Sequence, residues 1–235
     1  MRKYILCLMA AAVLLSNVVF AEGYLATYSV KVTDAQAFGK EMDELMSSDW
    51  GKRFPADVML IQQAFNGYDE ATHSVVMNYA NEADMAAGTS AFYQAPFGEF
   101  LAKISDYSGG VEQSLHQKLV TGGDLSLEKN RVYTIFRMKV ESPSEYAKAY
   151  LKLAKAQVKA GNIEGGYGIR GQVAGSNDVY THYAYLGASN LQSAMEMRNN
   201  LFSSDDFKTF NKKVSDNREV VSSNISIVLK HYAKQ

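Results

Sequence analysis

Tyr28-Ser29-Val30-Lys31-Val32-Thr33-Asp34 and, further along, Phe136-Arg137-Met138-Lys139-Val140-Glu141-Ser142 are one pattern written twice. Each alternates apolar with polar residues and ends on a residue that can cap a helix. At the same offset, Phe38 meets Tyr146, Lys40 meets Lys148, Leu45 meets Leu153, Ile61 meets Ile169 and Gly67 meets Gly175. Past a two-residue insertion between Ala86 and Ala91, Phe92 meets Phe202, Phe97 meets Phe207, Phe100 meets Phe210 and Ser105-Asp106 meets Ser215-Asp216. A repeat this long sets the domain organisation before any element is assigned. Residues 22–120 form one copy and 131–235 the other, with a linker at 121–130 centred on Gly122-Gly123.

Within each copy the pattern predicts strand, helix, strand, strand, helix, strand. Tyr24–Val32 and Val132–Val140 are rich in tyrosine and β-branched residues, which suit a pleated surface. Asp34 and Ser142 then cap helices in which Phe38, Met42 and Leu45, or Tyr146, Tyr150 and Leu153, share one face. Pro143 fits the first turn of the later helix, where a missing N–H costs nothing. Two strands follow across glycine-containing turns, at Asn66-Gly67-Tyr68-Asp69 and Gly175-Ser176-Asn177-Asp178. Glu82–Asp106, interrupted near Pro96, and Asn190–Asn217 carry the second helices. Val111–Val120 and Val221–Leu229 close the copies as fourth strands. The fold class is α+β, two tandem units with antiparallel sheets.

Residues 1–21 read as a secretory leader: Arg2 and Lys3, an apolar run from Tyr4 to Phe20, and Val19-Phe20-Ala21 as a cleavage site. The chain is therefore expected to be bacterial and exported, to the periplasm or beyond, with no stable membrane insertion after cleavage. Cys7 is the single cysteine and lies in that run, so the rest of the chain has no disulfide, thiolate metal site or cysteine nucleophile. A formal charge of −1 with no dense basic run argues against nucleic acid. His73, His116, His182 and His231 are scattered, with no pair at helical ligand spacing, so no metal site is expected. No cofactor motif and no Gly-x-Ser-x-Gly elbow occurs. Trp50 with Lys52 and Arg53 either lines an opening or covers a core edge.

Strand alternation sorts the remaining candidates by face. Val30, Val32, Ile61, Val75, Met77, Leu115 and Leu119, with Met138, Val140, Ile169, Ile225, Ile227 and Leu229, form the set expected against helices. The opposite face carries Ser29, Lys31, Gln62, Asn78, Ser114 and His116 from the first copy. From the second it carries Arg137, Lys139, Arg170, Gln172, His182, Asn224 and Ser226, with Glu112 the only acid. If two such faces meet, the cations must find acids, water or an anionic ligand, because burying an unpaired charge costs several kcal/mol. If they do not, the lysines and arginines reach solvent from the strand ends.

The element order and the tandem copy resemble the dimeric α/β-barrel superfamily, ferredoxin-like units that include antibiotic-biosynthesis-monooxygenase-like members. The resemblance implies that the two copies build within one chain the barrel that single-unit members build by dimerising. Its haem-using branches commonly bring a histidine from a helix to iron, and both second helices here lack one.

Two functional readings follow. The first is an exported binding protein, monomer or homodimer, holding a small polar or anionic molecule between the sheets. Arg137, Lys139, Arg170, Lys31, Gln62, Asn78 and Asn224 are its ligand-binding candidates. The alternative is a cofactor-poor monooxygenase or isomerase-like enzyme using His116 or His182 as base. The binding reading leads, since every enzyme route needs two residues that the sequence does not show to meet. The copies differ most on the polar face, where Ser29 becomes Arg137, Gln62 becomes Arg170 and Ser74 becomes His182. That divergence suits either one specialised site or drift at solvated positions.

Overall fold

The computed structural model describes residues 23–175 and 178–235. The expected leader at 1–21, and Ser176 and Asn177 of the second hairpin turn, lie outside the described residues. The first copy runs β1 (Tyr24–Val32), α1 (Ala35–Ser47), a short α2 (Asp49–Lys52), β2 (Asp57–Phe65), β3 (His73–Tyr79), α3 (Glu82–Ala91), α4 (Ala95–Ile104) and β4 (Ser108–Gly123). The second runs β5 (Val132–Val140), α5 (Pro143–Lys159), β6 (Gly166–Ala174), β7 (His182–Ala188), α6 (Leu191–Ser203), α7 (Asp205–Val214) and β8 (Arg218–Tyr232).

Local chemistry accounts for most boundaries. Asp34 accepts from the Ala37 amide at 2.9 Å and starts α1. Ser142 makes no side-chain cap; α5 starts instead on Pro143, whose ring presets the helical φ. The second helix of each copy is split in two. Pro96 sits in the first turn of α4. In the second copy, where one helix was expected, Ser204 donates to the Leu201 carbonyl at 2.7 Å, accepts from the Phe207 amide at 3.1 Å and so ends α6 and caps α7. Gly67 takes φ +67° in the first hairpin turn, a conformation that favours glycine.

Among the described residues eight strands pair antiparallel into one closed barrel in the order β1-β3-β2-β8-β5-β7-β6-β4. The copies meet at two seams. β2 pairs with β8 through Gln63↔Ser226, and β4 pairs with β6 through Lys118↔Arg170 and Thr121↔Gly168. Thr121, Gly122 and Gly123, expected in the linker, thus continue β4 along β6. The helices cover the outside. Phe38, Met42, Leu60 and Met77 lie in one outer core, and Met138, Tyr146, Leu153 and Ile169 in the other. The inner faces enclose a lumen.

The phase of β2 differs from expectation. Ile61 lines the lumen, whereas Leu60 packs outward with 1 % exposure and Gln62 is exposed outside the barrel. Val58-Met59-Leu60-Ile61 is apolar at every position, so alternation gives no phase there, and a one-residue slip reverses both faces. Gln63 is the inward glutamine. Its Oε1 accepts from Ser226 Oγ at 2.8 Å and Asn224 Nδ2 at 3.1 Å, and its Nε2 donates to Ser74 Oγ at 2.9 Å. Gln63→Leu should therefore cost about 1–3 kcal/mol by orphaning those partners, while Gln62→Ala should stay within about 0.5 kcal/mol. Urea unfolding of both variants checks the register, and equal losses would refute it.

Candidate functional site

The lumen is a cavity of about 430 Å3 lined by both copies. Its two walls differ in chemistry. β1, β2 and β3 contribute mostly small or apolar side chains, including Leu25, Thr27, Ile61, Ser74 and Val76. Strand register sets Tyr133, Ile135, Arg170, Tyr183 and Tyr185 at the corresponding places in the second copy. The polar wall is completed by β4, which lies beside β6 and brings Glu112, Ser114, His116 and Lys118 inward.

His116 is 1 % exposed. Its Nε2 lies 3.2 Å from Tyr180 Oη, its ring stacks on Tyr180 and meets Tyr183 edge-on at 4.9 Å, and its Nδ1 has no partner among the described residues. Burial, reinforced by the Arg137 and Arg170 charges, pushes its pKa down to about 3, so the imidazole is neutral at neutral pH. Burial also raises Tyr180 and Tyr183, and lifts Tyr133 to about 12, so these phenols stay protonated. Lys118 is lowered by burial and by Arg170; its Nζ donates to the Tyr79 carbonyl at 3.2 Å.

Arg170 is held by three bonds that leave its charge unneutralised. Nη1 donates to the Val120 carbonyl at 2.6 Å and the Ile169 carbonyl at 3.0 Å, Nη2 donates to Tyr185 Oη at 2.9 Å, and the guanidinium lies 4.7 Å from the Tyr185 ring centre. Among the described residues no carboxylate forms an ion pair with it. Gly168 makes this packing possible: a Cβ there would stand 2.7 Å from the Tyr185 ring and 2.9 Å from Arg170 Nη1. Arg137 sits nearer one mouth, 3.5 Å from Asp69 and over the Tyr180 ring. Among the described residues, orphaned buried polar atoms gather on lumen-lining side chains: Asn78 Oδ1, Glu112 Oε1, His116 Nδ1, Thr121 Oγ1, Arg170 Nε and Asn224 Oδ1. Such atoms want a partner from inside the cavity.

Of the residues singled out from sequence, Ser29, Asn78, Ser114, His116, Arg137, Arg170, Asn224 and Ser226 line the lumen. Lys31 and Lys139 share their strands' inward alternation but emerge at the barrel end; Lys31 is exposed and pairs with Glu70 at 3.1 Å. His182 points to the helix side, with Nδ1 2.8 Å from Thr181 Oγ1, as His73 does with Thr72. The counterpart of His182 is His73 rather than Ser74, and that of Arg170 is Ile61 rather than Gln62. His116 and His182 therefore do not form an acid/base pair across the lumen. Trp50 covers a core edge, 5 % exposed. Sequence reasoning missed the lumen tyrosines, whose signal was their alternation with small residues in His182-Tyr183-Ala184-Tyr185.

Among the described residues no three His, Cys, Asp or Glu side chains could hold a metal ion, and no described helix is long and apolar enough to cross a membrane.

No family model and no curated protein matches the chain in sequence. Solved structures match in fold. A provisionally named monooxygenase from Fusobacterium nucleatum superposes with a TM-score of 0.59 at 14 % identity, covering 92 % of this chain and 96 % of that one. An anthrone oxidase-like protein gives 0.54 at 13 % identity, covering 89 % and 93 %. A heme-binding protein from Thermus thermophilus gives 0.54 at 9 % identity, covering 89 % and 92 %. The chain thus has the dimeric α/β-barrel fold, duplicated in tandem. The residues here do not fit haem. All four histidines lie on strands; of the two that line the lumen, His116 is buried against Tyr180 and His231 is exposed at the end of β8. A second cavity, behind the second copy's sheet, has neither histidine nor cysteine in its lining.

The reading of the chain as a binding protein is corrected by these findings. It led only because no two catalytic groups were known to meet. His116 and Tyr180 do meet, and structures sharing the fold are named a monooxygenase and an oxidase-like protein.

The His116 shift fixes a sign. Its folded pKa is depressed below the ordinary 6.5, so below that pH the unfolded chain binds a proton that the folded chain refuses. The stability it contributes is present above pH 6.5 and is lost as pH falls towards 3, at up to about 1.4 kcal/mol per pH unit. His116→Gln should flatten the acid limb of stability against pH by one proton, measured by urea unfolding; an unchanged slope would contradict the burial argument.

Proposed function

We propose that this chain is a cofactor-poor monooxygenase of the dimeric α/β-barrel type, acting on a small enolisable or phenolic molecule inside the lumen. The observation that carries the reading is the neutral, buried His116, hydrogen-bonded to Tyr180 and facing a cavity in which Arg170 has no acid partner among the described residues. A neutral imidazole can take a proton from an activated C–H or O–H. Developing oxyanion charge would be met by Arg170 and the protonated lumen tyrosines, donors fixed before reaction. The same oxyanion supplies the countercharge that lets imidazolium exist beside two arginines.

For an activated methylene the balance closes with dioxygen as the named co-reactant. His116 removes one proton, the resulting enolate gives its electrons to dioxygen, and one oxygen atom is retained as a carbonyl. The second leaves as water, which carries both methylene hydrogens. His116 is the base, Arg170 with Tyr183 and Tyr185 the oxyanion site, and Tyr180 the group that orients the imidazole. A formal charge of −1 supports a small-molecule substrate rather than nucleic acid. The leader-like Met1–Ala21 supports action outside a bacterial cytoplasm.

The test is product analysis under labelled dioxygen with an anthrone or a related hydroxyarene, using metal-free protein. The expected result is one labelled oxygen atom in the product. His116→Gln should lower kcat by about 100-fold or more, and Arg170→Gln by a similar factor. A rearranged product without label would replace the oxygenase by an isomerase. No product, or full activity in both variants, would refute the site.

A further inference from the structure

The second cavity lies outside the lumen, between the outer faces of β5, β7 and β8 and the helices α5, α6 and α7, with a volume of about 270 Å3. The repeat explains how it arises. In the first copy the same space is filled by Met46, Val75 and a stack in which Trp50 lies 4.9 Å from Phe54 and 5.7 Å from Phe97. At the corresponding places the second copy has Ala154, Ala184 and, for Trp50, the outward-facing Val158. Close packing is the rule in protein interiors, and lost bulk at facing positions leaves a hollow that apolar matter can occupy.

The same copy also gains a charge at this hollow. Ser108 of the first copy corresponds to Arg218, which lines the cavity. Its Nη2 donates to Asn211 Oδ1 at 2.6 Å and its guanidinium lies over Phe210, but its Nε is buried with no partner among the described residues. Among the described residues no carboxylate pairs with it. Tyr146, where the first copy has Phe38, adds a hydroxyl to the lining of the same cavity, close to that guanidinium.

We infer that this cavity is a binding site, separate from the lumen, for an amphiphile with an aliphatic body and a single carboxylate, of medium-chain fatty-acid size. The chain would lie among Leu153, Leu201, Phe202 and Phe207, and the carboxylate would meet Arg218 and the Tyr146 hydroxyl. Loss of bulk alone would suit any apolar filler; the added arginine and tyrosine select one with an acidic end.

The experiment is calorimetric titration of the whole protein with decanoate, and with decan-1-ol as the uncharged comparison. Decanoate should bind one per chain and more tightly than the alcohol. Ala154→Met combined with Ala184→Val restores the first copy's filling and should weaken decanoate at least tenfold while leaving the unliganded melting temperature equal or higher. Arg218→Gln should weaken decanoate about tenfold and the alcohol hardly at all. If the refilled variant does not fold, Arg218→Gln decides alone. Absence of decanoate binding, unchanged binding in the refilled variant, or equal effects of Arg218→Gln on acid and alcohol would each overturn the proposal.

Discussion

The two seams at which the copies hydrogen-bond to each other hold the rest of the structure in place. Each copy alone is a four-stranded antiparallel sheet with two edges, and an open edge exposes unpaired amides and carbonyls. Joining β2 to β8 and β4 to β6 removes both pairs of edges and closes the barrel. The inner faces then see each other rather than bulk water. That exclusion depresses His116, keeps Tyr133, Tyr180 and Tyr183 protonated, and places Arg170 in a space where its field is poorly screened.

Duplication within one chain also frees the two halves to differ. A symmetric dimer must place every inner residue twice, whereas here Arg170 faces a wall with Ile61 at its own counterpart position. The polar wall crosses the β4–β6 seam, so His116 from the first copy works beside Arg170, Tyr180 and Tyr183 from the second. The same freedom has moved bulk between the outer cores: Trp50 and Met46 fill one, and Ala154 leaves the other hollow. Helix-facing positions that pack both copies alike, such as Leu60 with Ile169 and Leu45 with Leu153, stayed similar because each sits in a close-packed core.

How far the sequence could be read depended on where its patterns carry phase. The repeat, the element order, the Asp34 cap and the inward placement of Asn78, His116, Arg137, Arg170 and Asn224 were legible, because polar residues on otherwise apolar strands mark one face. β2 was not, since four consecutive apolar residues fit either phase, and this put Gln62 where Gln63 belongs. His182 was misplaced for a related reason: the second copy is one residue longer between its first helix and β6, while the hairpins themselves match in length, and one residue turns a side chain through the sheet. Lys31 and Lys139 lie on the right alternation but beyond the enclosed length, which alternation cannot measure. The meeting of His116 with Tyr180 joins residues far apart in sequence and follows only from closure of the β4–β6 seam.

Amide hydrogen exchange across that seam tests this account most directly. If closure is intrinsic to the folded chain, the bridging amides between β4 and β6, and between β2 and β8, should exchange only with global unfolding, as slowly as those inside each copy. Seam amides that exchange much faster while β1–β3 and β5–β7 stay protected would show two copies that separate readily, and an enclosed lumen with a buried, neutral His116 would not survive that result.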